Sequence, residues 1–563
     1  MAFKYGREIQ KPAAARRLEF LMAADHAYCS SSVGGNTRKY HGLFVDHGRL
    51  QLAGLDEIVN GVRISAQQYQ DGSDDAGLLN LHAFSAYPPR WTYMVGDVTV
   101  QKTVSFDGNL SITYDIIGNA ELRVRPLITD RSVNEVVRIP CPPSVSEPNG
   151  VRWGELFFES DLPFDPDPVT YWNVWYEQEH ERGYEPVEDL YSPGFFSGPL
   201  RNGKVTFQCT RNGHDPVEKN RILSPQSPLQ WMDRASDAFC HGDEIFAGYH
   251  WFCESWGRDS AISITGLLIE RDQKAAAQAV LRRLASGMKD GIIPNRFPDN
   301  YHTSDASLWF IHALVRYRRR WGDDRFIGQM RPVISDILNN YVSSPVASID
   351  GSLISVVPKS TWMDTGFTPR EGKPVEINAL WVNALTESEA MGIDIPVTVD
   401  SAQEAFKRFW NKETQCLFDR IDPVDPSIRP NQVVALALGL VDQDHAAKAL
   451  DAINKNLLTP YGLRTLSPRD PHYEGRYSGD RSYHNGCVWP WLTGWYVDAL
   501  IRNGVRGDKI QPLLIPILHH LREAGMGYIS EIFDGDPPYI PRGCIAQAWS
   551  VAEISRACRM VFY

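Results

Sequence analysis

The sequence predicts a two-domain protein: an N-terminal antiparallel β-sandwich over 1–220, a linker at 221–228, and a barrel of six helical hairpins, (α/α)6, over 229–563. Three observations lead there. Hydrophobic residues alternate with period two up to about residue 215; the stretch H-D-P-V-E-K-N-R-I-L-S-P-Q-S-P from His214 to Pro228 then breaks the pattern; beyond it apolar residues recur at helical spacing. At 563 residues the chain exceeds what one ordinary core holds.

In the first part, Val98, Val100, Val104 and Phe106 alternate with polar neighbours, Asp107-Gly108-Asn109 reads as a turn, and Leu110, Ile112, Tyr114 and Ile116 resume the alternation. This is a β-hairpin with one buried face. Further strand-like runs occur at Leu122 to Ile128, Val151 to Phe158 and Val169 to Tyr176, with Pro-rich turns such as Ile139 to Pro148 between them. Many short strands separated by turns indicate a sandwich.

After the linker, Ala277, Val280, Leu281 and Leu284 share one helical face, as do Ala446, Ala449, Leu450, Ile453 and Leu457. Such runs predict helices near 229–240, 259–271, 273–287, 303–320, 324–342, 374–391, 401–411, 430–440, 443–457, 487–503, 509–524 and 544–559. Six consecutive hairpins of this kind close into a ring of six inner and six outer helices. A stacked solenoid is the alternative, but no short repeat marks one, and the loops Asp290 to His302, Ser343 to Lys373 and Thr459 to Gly486 are long enough to imply a function.

Composition narrows the partners. The chain holds 69 acidic against 57 basic residues, a net charge of −12, the wrong sign for a phosphate backbone. Sixteen Trp and 23 Tyr, several in loop-like segments, suit stacking on a neutral carbohydrate. No run has signal-peptide or membrane-span character, and the nine cysteines lie singly, without C-x-x-C pairs. These features predict a reduced, cytoplasmic protein without nucleic-acid or membrane partners; oligomeric state is not legible.

The candidate chemistry centres on T-W-M-D-T-G-F-T-P-R-E-G-K-P-V-E-I-N, Thr361 to Asn378. Asp364 lies beside Trp362 in a Gly- and Pro-rich loop, where an acid with an aromatic neighbour can hold its proton and still reach a ligand. Taken alone it also fits a turn or capping role. The loop Gly527 to Arg542 contains Glu531, and stepping from one loop to the other advances six of twelve helices, bringing both to opposite sides of one mouth. Glycoside hydrolysis with inversion needs such a pair, one protonated and one ionised, about 6.5–9.5 Å apart. Asp534 and Asp536 are rivals to Glu531, but D-G-D-P-P reads as a turn.

In G-Y-H-W-F-C-E-S-W-G-R-D-S-A-I, Arg258 and Asp259 form a fork suited to sugar hydroxyls, with Trp251 or Trp256 as a stacking wall; a buried structural pair is the equal alternative. Asn295, Arg296, Asp305 and Trp309 add loop groups and possible subsite walls, although Asp305 also suits a helix start. Trp362, Arg370 and Glu371 near the acid, and His484 and Trp489 of Y-H-N-G-C-V-W-P-W, complete the expected substrate contacts. In the β half, Arg38-Lys39-Tyr40-His41 and the cluster Trp172 to Tyr184, with Glu177, Glu179 and Glu181, are either part of a substrate rim or an exposed strand and loop without a role.

Several of these segments, W-G-R-D-S, I-P-N-R-F-P-D, T-S-D-A-S-L-W-F-I-H-A-L, T-W-M-D, H-N-G-C-V-W-P-W and S-E-I-F-D-G-D-P-P, together with S-S-V-G-G-N-T-R-K-Y-H-G-L-F-V near the start, resemble the amylo-α-1,6-glucosidase part of glycogen debranching enzymes, in the stand-alone form of bacteria and archaea. The likeness runs in order from about Ser31 to Glu553. It implies a β-rich domain followed by an (α/α)6 barrel, and hydrolysis with inversion of the α-1,6-linked glucose left on a trimmed glycogen branch, without metal or cofactor. It also implies that Asp364 is the proton donor, Glu531 the water-activating base, and Arg258-Asp259 the grip on the terminal glucose. The segment before W-G-R-D departs from the family pattern, with His250 where a Pro is expected. The chain has no room for the glucanotransferase barrel of the two-activity eukaryotic enzymes, so a separate transferase would expose the stub unless this enzyme accepts longer chains or α-1,4 ends itself. Rival readings are a glucoamylase-like α-1,4-glucosidase, a disaccharide phosphorylase or trehalase, and a non-enzymatic glucan-binding protein.

Overall fold

The structure is a computed structural model and describes residues 3–139, 142–211 and 225–563. Of the expected linker, only 225–228 falls among the described residues. The chain divides into two units, Met1–Trp231 with Leu521–Gly527, and Met232–His520 with Tyr528–Tyr563. The late segment joins the first unit through backbone bonds: Glu19 N donates to Ala524 O at 2.7 Å and Met526 N to Glu19 O at 2.8 Å.

The first unit is a sandwich of two antiparallel sheets, of nine and ten strands. The expected hairpin is present as Val98–Phe106 and Leu110–Ile117, with Val100 opposite Ile116 and Val104 opposite Ile112. Every second side chain is buried, so the period-two pattern is the inner face of a sheet. Gly108 takes φ +100° in the turn between them, a conformation suited to glycine. The expected run Val151 to Phe158 is instead a tight hairpin, Gly150–Trp153 and Leu156–Ser160, because Gly154 reverses the chain with φ +53°. Aromatic rings knit the two layers, Phe44 to Phe106 at 5.8 Å and Phe158 to Phe196 at 5.5 Å.

The second unit holds twelve helices of seven residues or more, counting from one that begins just before it: α1 Pro228–Phe239, α2 Gly257–Ile264, α3 Lys274–Ser286, α4 Ala306–Trp321, α5 Asp324–Tyr341, α6 Val375–Ala390, α7 Val399–Phe406, α8 Gln432–Leu438, α9 Gln443–Asn456, α10 Leu492–Arg502, α11 Gly507–His520 and α12 Ala548–Phe562. Each matches an expected helix. Two boundaries move for identifiable reasons. Helix α10 starts after Trp491 rather than at 487, because Val488–Trp489 pairs as a strand with Gly462–Arg464. Helix α7 stops at Phe406, because Lys407–Phe409 tightens into a 3-10 turn and Trp410 pairs with Leu417.

The even-numbered helices form the inner ring. Helix α2 packs on α4, α4 on α6, α6 on α8, α8 on α10, α10 on α12, and α12 back on α2. The last contact closes the circle and excludes an open solenoid. Closure depends on small residues at the seam: a Cβ on Gly266, just past α2, would lie 1.9 Å from the carbonyl oxygen of Ala552 in α12. Inner helices touch neighbours all round, so they are apolar on more than one face; in α6 the run Val375 to Val382 is buried without a break.

Candidate functional site

The loops that precede the inner helices meet at one end of the ring. Asp305 is the N-cap of α4, Asn431 of α8, Trp491 of α10 and Gln547 of α12, while Arg258 and Asp259 lie in the first turn of α2. The positive ends of these helix dipoles therefore face a shared mouth.

The loop carrying Asp364 has no regular secondary structure, so side chains have to fix it. Trp362 is buried, donates from Nε1 to Asn431 Oδ1 at 2.8 Å, and is ringed edge-on by His484, Trp489 and Trp491 at 5.3–5.4 Å. Arg370 is also buried and is gripped by two acids, Glu376 at the start of α6 and Asp419, whose Oδ2 lies 2.8 Å from Nε. These two residues act as rivets for the loop. Thr361, Met363 and Thr365 are buried around it, whereas the Asp364 side chain is 40% exposed; the loop is most open just beyond, at Gly366 and Phe367.

Arg258 reaches this acid, with Nη1 3.5 Å from Asp364 Oδ2. Its Nε is bound at 2.8 Å by both oxygens of Asp305, which Thr303 supports from Oγ1 at 2.7 Å. Arg258 and Asp259 are thus not the buried structural pair that was the alternative to a sugar-binding fork, since adjacent residues on a helix point in different directions. Asp305 is the guanidinium's partner, and Arg258 Nη2 has no hydrogen-bond partner. The surrounding protein raises the Asp364 carboxyl above the ordinary aspartate range through burial first; Arg258 opposes this and the Asp305 charge adds to it.

Asp259, only 6% exposed, is pushed up to about 7, chiefly by burial, opposed by Arg258 and reinforced by the negative charges of Glu531 and Asp364. One side chain thus senses both expected carboxylates. Glu531 is 2% exposed and doubly held: Cys544 N–H donates to Oε2 at 2.8 Å and the Tyr483 hydroxyl donates to Oε1. Its own N–H donates to Cys544 O at 2.9 Å. The rivals turn elsewhere: Asp534 accepts from Tyr477 N at 2.9 Å, and Asp536 accepts from Tyr473 Oη at 2.8 Å.

Among the other expected contacts, Trp256 and Trp251 are half-buried around the hairpin Glu244–Tyr249 and Phe252–Ser255, and the Trp256 indole N–H has no partner. Asn295 is buried with Oδ1 unpartnered, while its carbonyl accepts from Gly257 N at 2.9 Å. Arg296 is exposed and lies 5.9 Å from the Trp256 ring. His484 is buried, neutral because burial and nearby arginines push its pKa well down, and its Nε2 has no partner. Trp489 is buried and donates to Tyr483 O at 2.9 Å; Trp309 is buried one turn into α4, 5.1 Å from Trp495; Glu371 is exposed. Trp309, Trp362, Trp489 and Arg370 are therefore packing and anchoring groups rather than open walls.

In the first unit, Arg38 and His41 are buried against Glu19, at 2.9 and 2.8 Å. Glu179 is fully buried in the short helix Glu177–Glu181, which is tied to Thr37 and Glu19 through Gln178 and pairs Glu179 with Arg182 at 3.1 Å; it is not part of an exposed acidic cluster. Tyr483 and Asn431 are site residues the sequence reading passed over. Tyr483 stands directly before His484 in Y-H-N-G, which is the one signal that pointed to it.

The ring carries loop carboxylates at the N-terminal ends of its inner helices, the kind of group that glycoside hydrolysis uses in pairs. Residues 227–556 match the family of amylo-α-1,6-glucosidases and residues 26–206 the N-terminal region of glycogen debranching enzymes, and the chain belongs to this family. It is 25% identical over 374 residues to the glycogen debranching enzyme of Saccharomyces cerevisiae, a match covering 44% of this chain and 24% of the yeast protein. The chain thus spans about a quarter of that relative. Among solved structures, a bacterial glucoamylase complexed with acarbose superposes with a TM-score of 0.56 at 11% identity, over 98% of this chain and 93% of that one. A mannosylglycerate hydrolase from Thermus thermophilus covers 59% of this chain and 99% of its own, at 14% identity and a TM-score of 0.48. No helix among the described residues is long and apolar enough to cross a membrane, and the eight cysteines there are free thiols outside any disulfide.

Proposed function

We propose that the protein is an inverting, exo-acting glycosidase that releases glucose from α-1,6-linked stubs of glycogen or a related branched α-glucan. Asp364, protonated, donates to the glycosidic oxygen as the C1–O bond breaks. Glu531, ionised, takes a proton from the water that attacks C1 from the opposite face. Each turnover ends with a proton returned to Asp364 and one removed from Glu531, so neither needs a metal or cofactor. Arg258, Asp259, Asn295, Trp256 and His484 are assigned to the terminal sugar; Arg258 Nη2, Asn295 Oδ1, Trp256 Nε1 and His484 Nε2 are buried polar atoms without partners, a cost that a bound ligand or ordered water would relieve.

The observation that carries this reading is that Trp362, two residues before Asp364, and Tyr483, which donates to Glu531, pack on the same two rings, His484 and Trp489, while Arg258 Nη1 lies 3.5 Å from Asp364. All these groups belong to the second unit, so we assign the chemistry to the helical domain. The eight described cysteines form no disulfide, which suits a reducing compartment, and we propose the cytoplasm.

Phosphorylase limit dextrin and linear maltooligosaccharides, supplied in parallel without phosphate, test the reading. Glucose from the dextrin with little from the linear chains is expected. Preferential release from linear chains would make the enzyme an α-1,4-glucosidase, phosphate-dependent release of a sugar phosphate would make it a phosphorylase, and tight binding without turnover would make it a glucan-binding protein.

A further inference from the structure

We propose that Tyr483 is a positioning residue that keeps Glu531 ionised and aimed, an inference that rests on Glu531 being the base. The tyrosine ends the short helix Asp480–Tyr483, and its hydroxyl donates to Glu531 Oε1. The opposite oxygen, Oε2, accepts from Cys544 N at 2.8 Å. Both carboxylate oxygens thus have donors, which favours the charged form over the protonated one.

The clamp is rigid on both sides. Gly543, at φ +69°, passes so near that a Cβ there would stand 2.2 Å from Glu531 Oε2. The Tyr483 ring is wedged between Trp489 and His484, both 4.8 Å away, and its carbonyl accepts from Trp489 Nε1 at 2.9 Å. Burial, with the adjacent Glu531 charge, pushes the phenol well above its usual range, so it keeps its proton wherever the enzyme works and stands as a donor toward the carboxylate. A hydroxyl that cannot ionise beside a carboxylate that has to stay ionised is a fixed bias on the proton equilibrium of that carboxylate.

Tyr483→Phe removes the O–H and leaves the ring packing. The acid limb of the kcat/KM profile, set by the base, is expected to move up by about one to two pH units. At neutral pH kcat is expected to fall about 10-fold or more with KM within about twofold, and Tm to stay close to wild type. An acid limb that does not move in Tyr483→Phe overturns the inference, whatever the loss of rate. Glu531→Gln, run beside it, separates the two ideas. A dead Glu531→Gln with an unmoved limb in Tyr483→Phe removes only the tyrosine's role, whereas an active Glu531→Gln removes the base assignment itself.

Discussion

Arg258 stands between two aspartates it treats unequally: Asp305 holds its Nε with both oxygens at 2.8 Å, while Asp364 lies 3.5 Å from Nη1. The tight partner absorbs most of the guanidinium's charge and leaves the looser one free to keep a proton. The proposed acid is thereby tuned by a residue that has no need to touch the reacting atoms.

Removing the proton donor itself is the simplest test. Asp364→Asn is expected to lower kcat by about 100- to 10,000-fold with little change in KM. Circular dichroism and Tm are expected to stay close to wild type, because the side chain is 40% exposed and the loop is held by Trp362 and Arg370.

Asp305→Asn acts on Asp364 from a distance. The substitution removes a negative neighbour that raises Asp364 and frees Arg258 to turn toward it, and both changes lower the Asp364 pKa. The alkaline limb of the kcat/KM profile, set by the acid, is expected to move down by about one unit. An upward move would contradict the assignment.

Asp259 couples function to stability. Its pKa is raised to about 7, so the folded state holds a proton there that the unfolded state gives up near 4. Its stabilising contribution is fully present below the unfolded value and is lost as pH rises through the folded one, at about 1.4 kcal/mol per unit. Asp259→Asn abolishes that dependence. Its Tm relative to wild type is expected to increase between about pH 4 and pH 7, while glucose release falls.

Arg370→Met tests the rivet under the Asp364 loop. It strands Glu376 and Asp419, both buried, without their shared cation. Breaking a buried pair on one side costs about 3–5 kcal/mol, read by urea denaturation. Arg370→Lys is expected to recover little, because one ammonium cannot serve both carboxylates as the forked guanidinium does.

The helical ring was readable because its inner and outer helices carry apolar residues at regular spacing, and all twelve helices appear where that spacing put them. The boundaries that moved lie where tertiary pairing overrides local pattern, as at Val488–Trp489. Asp364 and Glu531 could be singled out because an acid in a long loop stands out from a helical background. What the sequence hid was which groups pair across loops. Arg258 looks like the partner of its neighbour Asp259, but helix geometry hands it to Asp305, 47 positions later. Trp309, Trp362 and Trp489 look like substrate contacts in the sequence, yet they are buried, Trp309 against Trp495 and Trp362 among His484, Trp489 and Trp491. Tyr483 was overlooked because a tyrosine beside a histidine carries no sign of the carboxylate it meets across the mouth.

The proposed chemistry stands on Asp364 and Glu531 acting from opposite faces of one sugar. Proton NMR of the glucose first released from phosphorylase limit dextrin measures this directly. β-Glucose at the earliest times, equilibrating to the α anomer afterwards, is the result expected of an inverting pair. α-Glucose at the outset would contradict it, since retention requires a covalent glycosyl intermediate and carboxylates about 5–5.5 Å apart.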